Sequence, residues 1–285
     1  MYEKLNMNIH IYNIYYSLTT NMNIPTIDLN NIDSIINGIK CGFFYVDIDE
    51  TDIDIIQAVL NKTINYFEQN TESKKLDKRT EYGLGYLEMG RKLKNKLVEM
   101  NESFTYRPDY YHNNKLLDEY MERMEKYATN VFTKIMHAMN IEYDNKIINP
   151  SFNTLNLLHY SKNEEIIGFD FDDLSSKQNQ FGIQIGVHPH TDWGFFTFLV
   201  TNNEGLQILV DDTYITVPIE KNKFIVNIGD MCERLSGGKM KSTTHRVILG
   251  KEKYSIAYFF EPNIDTEICG LKFGDYLNKK IEENE

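Results

Sequence analysis

His190-Thr191-Asp192 sets an imidazole and a carboxylate two residues apart, and His245 supplies a second imidazole farther along the chain. Two imidazoles and one carboxylate suit a divalent first-row metal. Three protein ligands on one face leave the opposite coordination positions open, the arrangement used for O2 activation at non-haem Fe(II). A closed structural zinc site would instead draw four protein ligands. Taken alone, an HxD triplet is a common surface accident, so the reading depends on its surroundings.

The ligands need rigid elements behind them. Side chains alternate faces along a strand, so His190 and Asp192 are expected on one side of one strand, as a two-pronged grip. His188 then faces the same way and is expected at the pocket edge rather than on the metal. His245, within Lys241–Val247, must arrive from another strand, across a sandwich interior.

From Phe152 onward, short apolar runs are split by Gly, Asn and Asp: Phe181–Val187, Phe195–Val200, Gly205–Val210, Tyr214–Pro218, Lys223–Ile228, Thr244–Leu249 and Tyr254–Phe260. Many short strands at this spacing predict a sandwich or small barrel.

The first half reads differently. Ile24–Leu29 is expected as a short strand with Pro25 at its start, and Gly42–Val46 as a buried strand. Helical spacing is present over Asn31–Lys40, Asp52–Gln69 and Lys115–Met139. The polar stretch 70–114 is expected as loops and short helices. The implied organisation is an N-terminal extension (1–23), a helical supporting region (24–148), a β domain (149–265) and a C-terminal tail or helix (266–285).

The flanks of the triad narrow the reading. His190-Thr191-Asp192-Trp193-Gly194-Phe195-Phe196-Thr197-Phe198-Leu199, Gly205-Leu206-Gln207-Ile208, Phe224-Ile225-Val226-Asn227-Ile228-Gly229-Asp230-Met231, Lys241–Val247 and Tyr254–Asn263 together resemble the isopenicillin N synthase-like family of 2-oxoglutarate- and Fe(II)-dependent dioxygenases. Ile24–Leu29, Gly42–Val46 and Glu102-Ser103-Phe104 carry weaker marks of the same family. The resemblance implies an α+β chain with a mainly β core: a double-stranded β-helix (jelly roll) with N-terminal helices packed on it. It also implies His190, Asp192 and His245 as catalytic iron ligands, with 2-oxoglutarate as cosubstrate, O2 and a small-molecule substrate; ascorbate is the alternative electron source, for an oxidase on the same scaffold.

The family's cosubstrate motif is Arg-x-Ser, where the arginine forks onto the distal carboxylate of 2-oxoglutarate. Here Lys253-Tyr254-Ser255 stands in its place. Lysine keeps the charge and loses the planar fork. Lys253, Ser255 and Tyr160 are therefore the expected cosubstrate residues, although Leu158 replaces a family asparagine nearby. His159 alternates away from Tyr160 and is expected to be structural. Phe196, Phe198, Tyr258 and Phe260 are candidates for the pocket wall or for plain core. Two alternatives stay open: an Fe(II) oxidase on this scaffold that does without 2-oxoglutarate, and a non-catalytic metal-binding jelly roll.

Composition narrows the partners. A formal net charge of −12 argues against nucleic acid or an anionic membrane surface, which would want a basic patch. Cys41, Cys232 and Cys269 are few, odd in number and far apart, which points to thiols in a reducing compartment and a cytoplasmic location. The broken N-terminal apolar stretch does not read as a signal peptide. The acidic run Glu164–Asp173 is expected as a solvated loop.

Overall fold

Two antiparallel sheets carry the apolar runs. The computed structural model describes residues 23–80, 83–93, 98–111, 114–148, 152–162 and 185–284. The run Glu164–Asp173, the beginning of Phe181–Val187 and all but the last residue of the 1–23 extension lie outside them.

The larger sheet has seven strands: β1 (Phe43–Asp47), β2 (Gly85–Leu87), β5 (Glu102–Tyr106), β6 (Thr154–Tyr160), β8 (Phe196–Thr201), β11 (Lys223–Ile228) and β13 (Lys253–Phe260). Their spatial order is β1-β11-β8-β13-β6-β5-β2. The smaller sheet has β7 (Ile185–His190), β9 (Leu206–Val210), β10 (Thr213–Thr216) and β12 (His245–Ile248), in the order β10-β9-β12-β7. Two short hairpins complete the strands: β3 (Arg91–Lys92) with β4 (Val98–Glu99), and β14 (Glu267–Ile268) with β15 (Leu271–Lys272).

The helices are α1 (Ile32–Gly38), α2 (Ile53–Phe67), α3 (Thr71–Lys74), α4 (Lys115–Ala138), α5 (Asp230–Leu235) and α6 (Phe273–Asn284). Among the described residues, no helix is long and apolar enough to cross a membrane.

The period of two along β13 divides the molecule into two packing layers. Ile256, Tyr258 and Phe260 face outward into a core shared with Leu117, Val131 and Phe132 of α4 and Val59 of α2. Ala257 and the partly buried Phe259 face inward, with Leu158 and Tyr160 of β6 and Leu206 and Ile208 of β9. Burying both faces makes β13 an almost continuous apolar strand, and polar residues on its inner side are correspondingly conspicuous.

Three expectations need correction. Ile24–Leu29 forms a single parallel bridge, Thr26 to Tyr45, and no named strand. Region 70–114 holds four strands as well as α3, and two of them, β2 and β5, extend the large sheet. With β1 also in that sheet, the supporting region contributes strands as well as helices. The polar composition misled because three of its charges, Lys74, Glu99 and Glu102, are buried and paired. Glu102 accepts from Lys74 Nζ at 2.6 Å and from the Tyr86 hydroxyl at 2.5 Å, and it pairs with His159 Nδ1 at 2.8 Å. His159, stacked on Tyr254, is structural as expected.

Candidate metal centre and cavity

His190 is the last residue of β7 and His245 the first of β12, and the two strands pair with these residues directly opposite each other. The third ligand thus comes from the adjacent strand of the same sheet, not from across the sandwich. Their ring centroids lie 4.3 Å apart. Asp192 sits just beyond the end of β7, so the grip is half strand and half loop. Between the pairs His245–His190 and Val247–Val187, β7 carries one more residue than β12. This bulge breaks the alternation. Val187 consequently lines the cavity with His190, while His188 Nε2 turns to the Val98 carbonyl at 3.0 Å. His188 is outside the metal group.

Backbone carbonyls fix both rings. His190 Nδ1–H donates to His188 O at 2.7 Å, and His245 Nδ1–H donates to Thr243 O at 3.1 Å. A carbonyl only accepts, so each Nδ1 holds the proton and each Nε2 is left as a ligand. Asp192 Oδ1 lies 3.6 Å from both Nε2 atoms. Its Oδ2 accepts from Asn227 Nδ2 at 2.7 Å and from the Thr197 hydroxyl. The three donor atoms lie within 4.8 Å of one another, close enough for one ion to bridge.

Protonation matches the task. Burial pulls His245 down to about 4, helped by His190 and opposed by Asp192, which keeps the ring neutral. Burial alone would raise the Asp192 carboxyl. The two imidazoles, Asn227 and Thr197 outweigh it and hold the group below the usual carboxylate range. The donor set therefore fits ferrous iron: two neutral nitrogens, one ionised oxygen, and hydrogen-bonded support behind each.

The triad opens into a cavity of about 370 Å³ lined by the inner faces of both sheets. On the inner face of the large sheet, Lys253 pairs with Tyr160 across β13 and β6; Tyr160 lines this cavity, and Lys253 and Ser255 are not among its lining residues. The Lys253 side chain is buried, with its ammonium 4.3 Å from the centroid of the Tyr160 ring, and no ion pair holds it among the described residues. Burial lowers it to about 7. Ser255, two residues along, donates to the Thr201 hydroxyl at 3.0 Å, so its proton is already engaged. The three expected cosubstrate residues thus share one end of the inner face.

The aromatic candidates fall otherwise. Phe196, Phe198, Tyr258 and Phe260 belong to the outer, helix-facing core, and Phe259, Phe152 and Trp193 line the cavity instead. Sequence reasoning also passed over Asn227, Thr197 and Glu261. The first two lie inside the motifs quoted above. Glu261 was visible as a lone acid ending the apolar run Tyr258-Phe259-Phe260. It is buried, and burial pushes its carboxyl up to about 8, with Asp192 adding to the rise against Arg107 and Thr154.

Residues 152–262, the segment that carries the triad, match the 2OG-Fe(II) oxygenase superfamily. That segment is similar to the superfamily and holds all three candidate metal ligands. Jasmonate-induced oxygenase 2 of Arabidopsis thaliana is 43% identical over 94 residues, which cover 32% of this chain and 25% of that protein. The chain spans about a quarter of the length of this and two further curated relatives. Gibberellin 2-beta-dioxygenase 1, also of Arabidopsis thaliana, matches at 27% identity over 87% of this chain and 80% of its own length. Among solved structures, a full-length Neurospora crassa protein in complex with alpha-KG superposes with a TM-score of 0.75 at 25% identity, covering 89% of this chain and 90% of that one.

Proposed function

We propose that this protein is a non-haem oxygenase coupling oxidative decarboxylation of 2-oxoglutarate to oxidation of a small organic molecule. The observation that carries the reading is the convergence of His190 Nε2, His245 Nε2 and Asp192 Oδ1 on the wall of a cavity. Ferrous iron bound there would supply the redox chemistry, in which O2, 2-oxoglutarate and an R–H substrate give succinate, CO2 and R–OH, or succinate, CO2, water and a desaturated or cyclised product.

The chain's own residues have separate tasks in this reading. His190, Asp192 and His245 hold the metal. Asn227 and Thr197 fix the Asp192 carboxylate. Lys253 meets the distal carboxylate of 2-oxoglutarate as a point charge, with Tyr160 and Ser255 beside it. The apolar inner faces exclude water from a reactive centre. The two sheets are taken as the halves of a jelly roll, residues 149–265, with strands β1, β2 and β5 added from the preceding region. We place the protein in the cytoplasm, with O2 and a small molecule as its partners.

The test is release of succinate from 2-oxoglutarate by the iron-loaded protein, measured with and without candidate substrates. Succinate formation that depends on iron and is abolished by Asp192→Ala is expected. Iron binding without any binding of 2-oxoglutarate would overturn the cosubstrate assignment. O2 consumption without succinate would select an oxidase.

A further inference from the structure

We propose that α6 is a movable wall of the substrate cavity, held shut by Tyr276, which acts as a positioning residue between this helix and the loop that carries the metal ligands. That the cavity takes a substrate rests on the oxygenase reading above; the closing of α6 over it does not.

The fold puts α6 at one end of the sandwich. Phe260, the last residue of β13, and Ile228, the last of β11, both pair with Phe196, the first of β8, so these strand ends are level. Asp192 precedes β8 and Asp230 follows β11, which sets the metal loop at this end, whereas Lys253 begins β13 at the other. The first turn of α6 is anchored here. The N–H of Phe273 donates to Thr266 O and that of Gly274 to Ile264 O, each at 2.9 Å, and the Phe273 ring is fully buried. A Cβ on Gly274 would lie 2.8 Å from Ile264 O, so the start of the helix sits directly on the chain leaving β13.

Beyond that turn the helix reaches the cavity. Phe273, Leu277 and Ile281 share one stripe at a spacing of four. Phe273 stays in the core, while Leu277 and Ile281 line the same cavity as His190, Asp192 and His245. The rest of the lining is mixed and includes Arg79, Arg91, Asn101 and Ser103, so α6 adds an aliphatic patch to a largely polar surface. Every other described lining residue belongs to a strand or a loop. A helix satisfies its backbone hydrogen bonds internally, so this part of the wall can lift without breaking a sheet ladder.

A hydrogen-bonded latch joins the wall to the metal loop. The Tyr276 hydroxyl donates to Asp230 Oδ2 at 2.5 Å, and the Thr191 hydroxyl donates to the same oxygen at 3.2 Å. Thr191 stands between the ligands His190 and Asp192, and the N–H of Asp230 donates to Asp192 O at 2.8 Å. One carboxylate oxygen therefore holds both the helix and the ligand loop. A phenol on a carboxylate is a charge-assisted bond, which favours the shut position. Its net contribution is small enough for the helix to open and reclose. Such a wall admits a molecule and then excludes water from the metal.

Trp193 is the one tryptophan of the chain, partly buried on the cavity lining, so its fluorescence reports access. The experiment compares wild type, Tyr276→Phe and Asp230→Asn as anaerobic protein loaded with Fe(II) and 2-oxoglutarate. Hydrogen exchange of the α6 amides reads how often the helix lifts. Quenching of Trp193 by acrylamide reads whether lifting opens the cavity. Tyr276→Phe is expected to exchange its α6 amides about tenfold faster, the loss of one charge-assisted hydrogen bond, and to raise Trp193 quenching at least about twofold. Asp230→Asn keeps an acceptor for the hydroxyl but removes its charge, and is expected to fall between the two in both readouts.

The proposal is overturned if α6 in Tyr276→Phe exchanges like wild type. It is equally overturned if exchange accelerates while Trp193 quenching stays at the wild-type level, the mark of a helix that is merely structural. Should Tyr276→Phe fail to fold, Asp230→Asn is judged by the same two readouts. Binding of Fe(II) and 2-oxoglutarate is measured first for each protein, and neither readout involves turnover. Normal 2-oxoglutarate binding with indifferent variants defeats this inference alone. Absent 2-oxoglutarate binding in wild type defeats the oxygenase reading, and the same comparison on protein loaded with Fe(II) alone then judges α6.

Discussion

Asn227 Nδ2 donates a 2.7 Å hydrogen bond to Asp192 Oδ2, which leaves Oδ1 of the same carboxylate to face the two histidines. The two residues come from different elements, β11 of the large sheet and the loop after β7. Their bond aims the only anionic ligand of the triad. Outer partners of this kind commonly contribute 10- to 100-fold to metal affinity. Asn227→Leu should therefore weaken Fe(II) or Mn(II) binding by about that factor, read by competition with a chelator. An unchanged metal Kd in a folded variant would show that Thr197 suffices.

Lys253 should control 2-oxoglutarate without touching the metal. Lys253→Met is expected to weaken 2-oxoglutarate binding about 100-fold, the loss of one buried charge-assisted contact of roughly 3 kcal/mol. Metal affinity should stay the same. Lys253→Arg restores the planar fork and should tighten binding. Abolished binding in Lys253→Arg would refute the reading of lysine as a weaker version of the family's arginine.

Burial lowers Lys253 to about 7, well below the ordinary lysine value of 10.5. Only the protonated form attracts a carboxylate. The KM for 2-oxoglutarate should therefore rise with pH above about 7, and Lys253→Arg should flatten that rise. The sign for stability is the opposite. Between the folded value near 7 and the unfolded value near 10.5, the unfolded chain binds the extra proton, so this residue's contribution to stability grows as pH rises. A ligand-free protein whose Lys253-dependent stability falls over that window would contradict the assignment.

Gly229 abuts the ligand loop. A Cβ there would lie 2.4 Å from Gly194 O and 3.0 Å from Asp192 O, both backbone atoms that cannot swing aside. Gly229→Ala should cost about 1–3 kcal/mol through forced backbone movement. It should also weaken metal binding, because the displaced loop carries Asp192. Thermal unfolding and metal titration of the variant test the two effects separately.

On the outer side of the sheet, Lys74 and Glu102 form an ion pair with side chains only 5% and 7% exposed. Removing one partner leaves a buried charge uncompensated, which typically costs 3–5 kcal/mol. Lys74→Met should lower stability by about this amount, measured by denaturant unfolding. A much smaller loss would mean that Tyr86 and His159 satisfy Glu102 unaided.

Residue types and their order were enough to find the triad, the strand-rich half and the long helix. Lys223–Ile228 appears as a strand with the bounds its apolar run suggested, and Lys115–Met139 as a helix ending one residue earlier. These are local properties, set by side-chain period and turn residues. Tertiary structure decided what depends on register and on satisfied burial. One extra residue in β7 sent His188 to a carbonyl and Val187 into the cavity, against simple alternation. Phe259 rather than Phe260 reached the cavity, because the helices claim the other face of β13. Glu102, in a stretch expected as loops and short helices, is on a strand and buried because three partners from other positions meet it there. No local pattern encodes such meetings: a strand's period says that two faces exist, and only the packing of other elements says which face becomes the site.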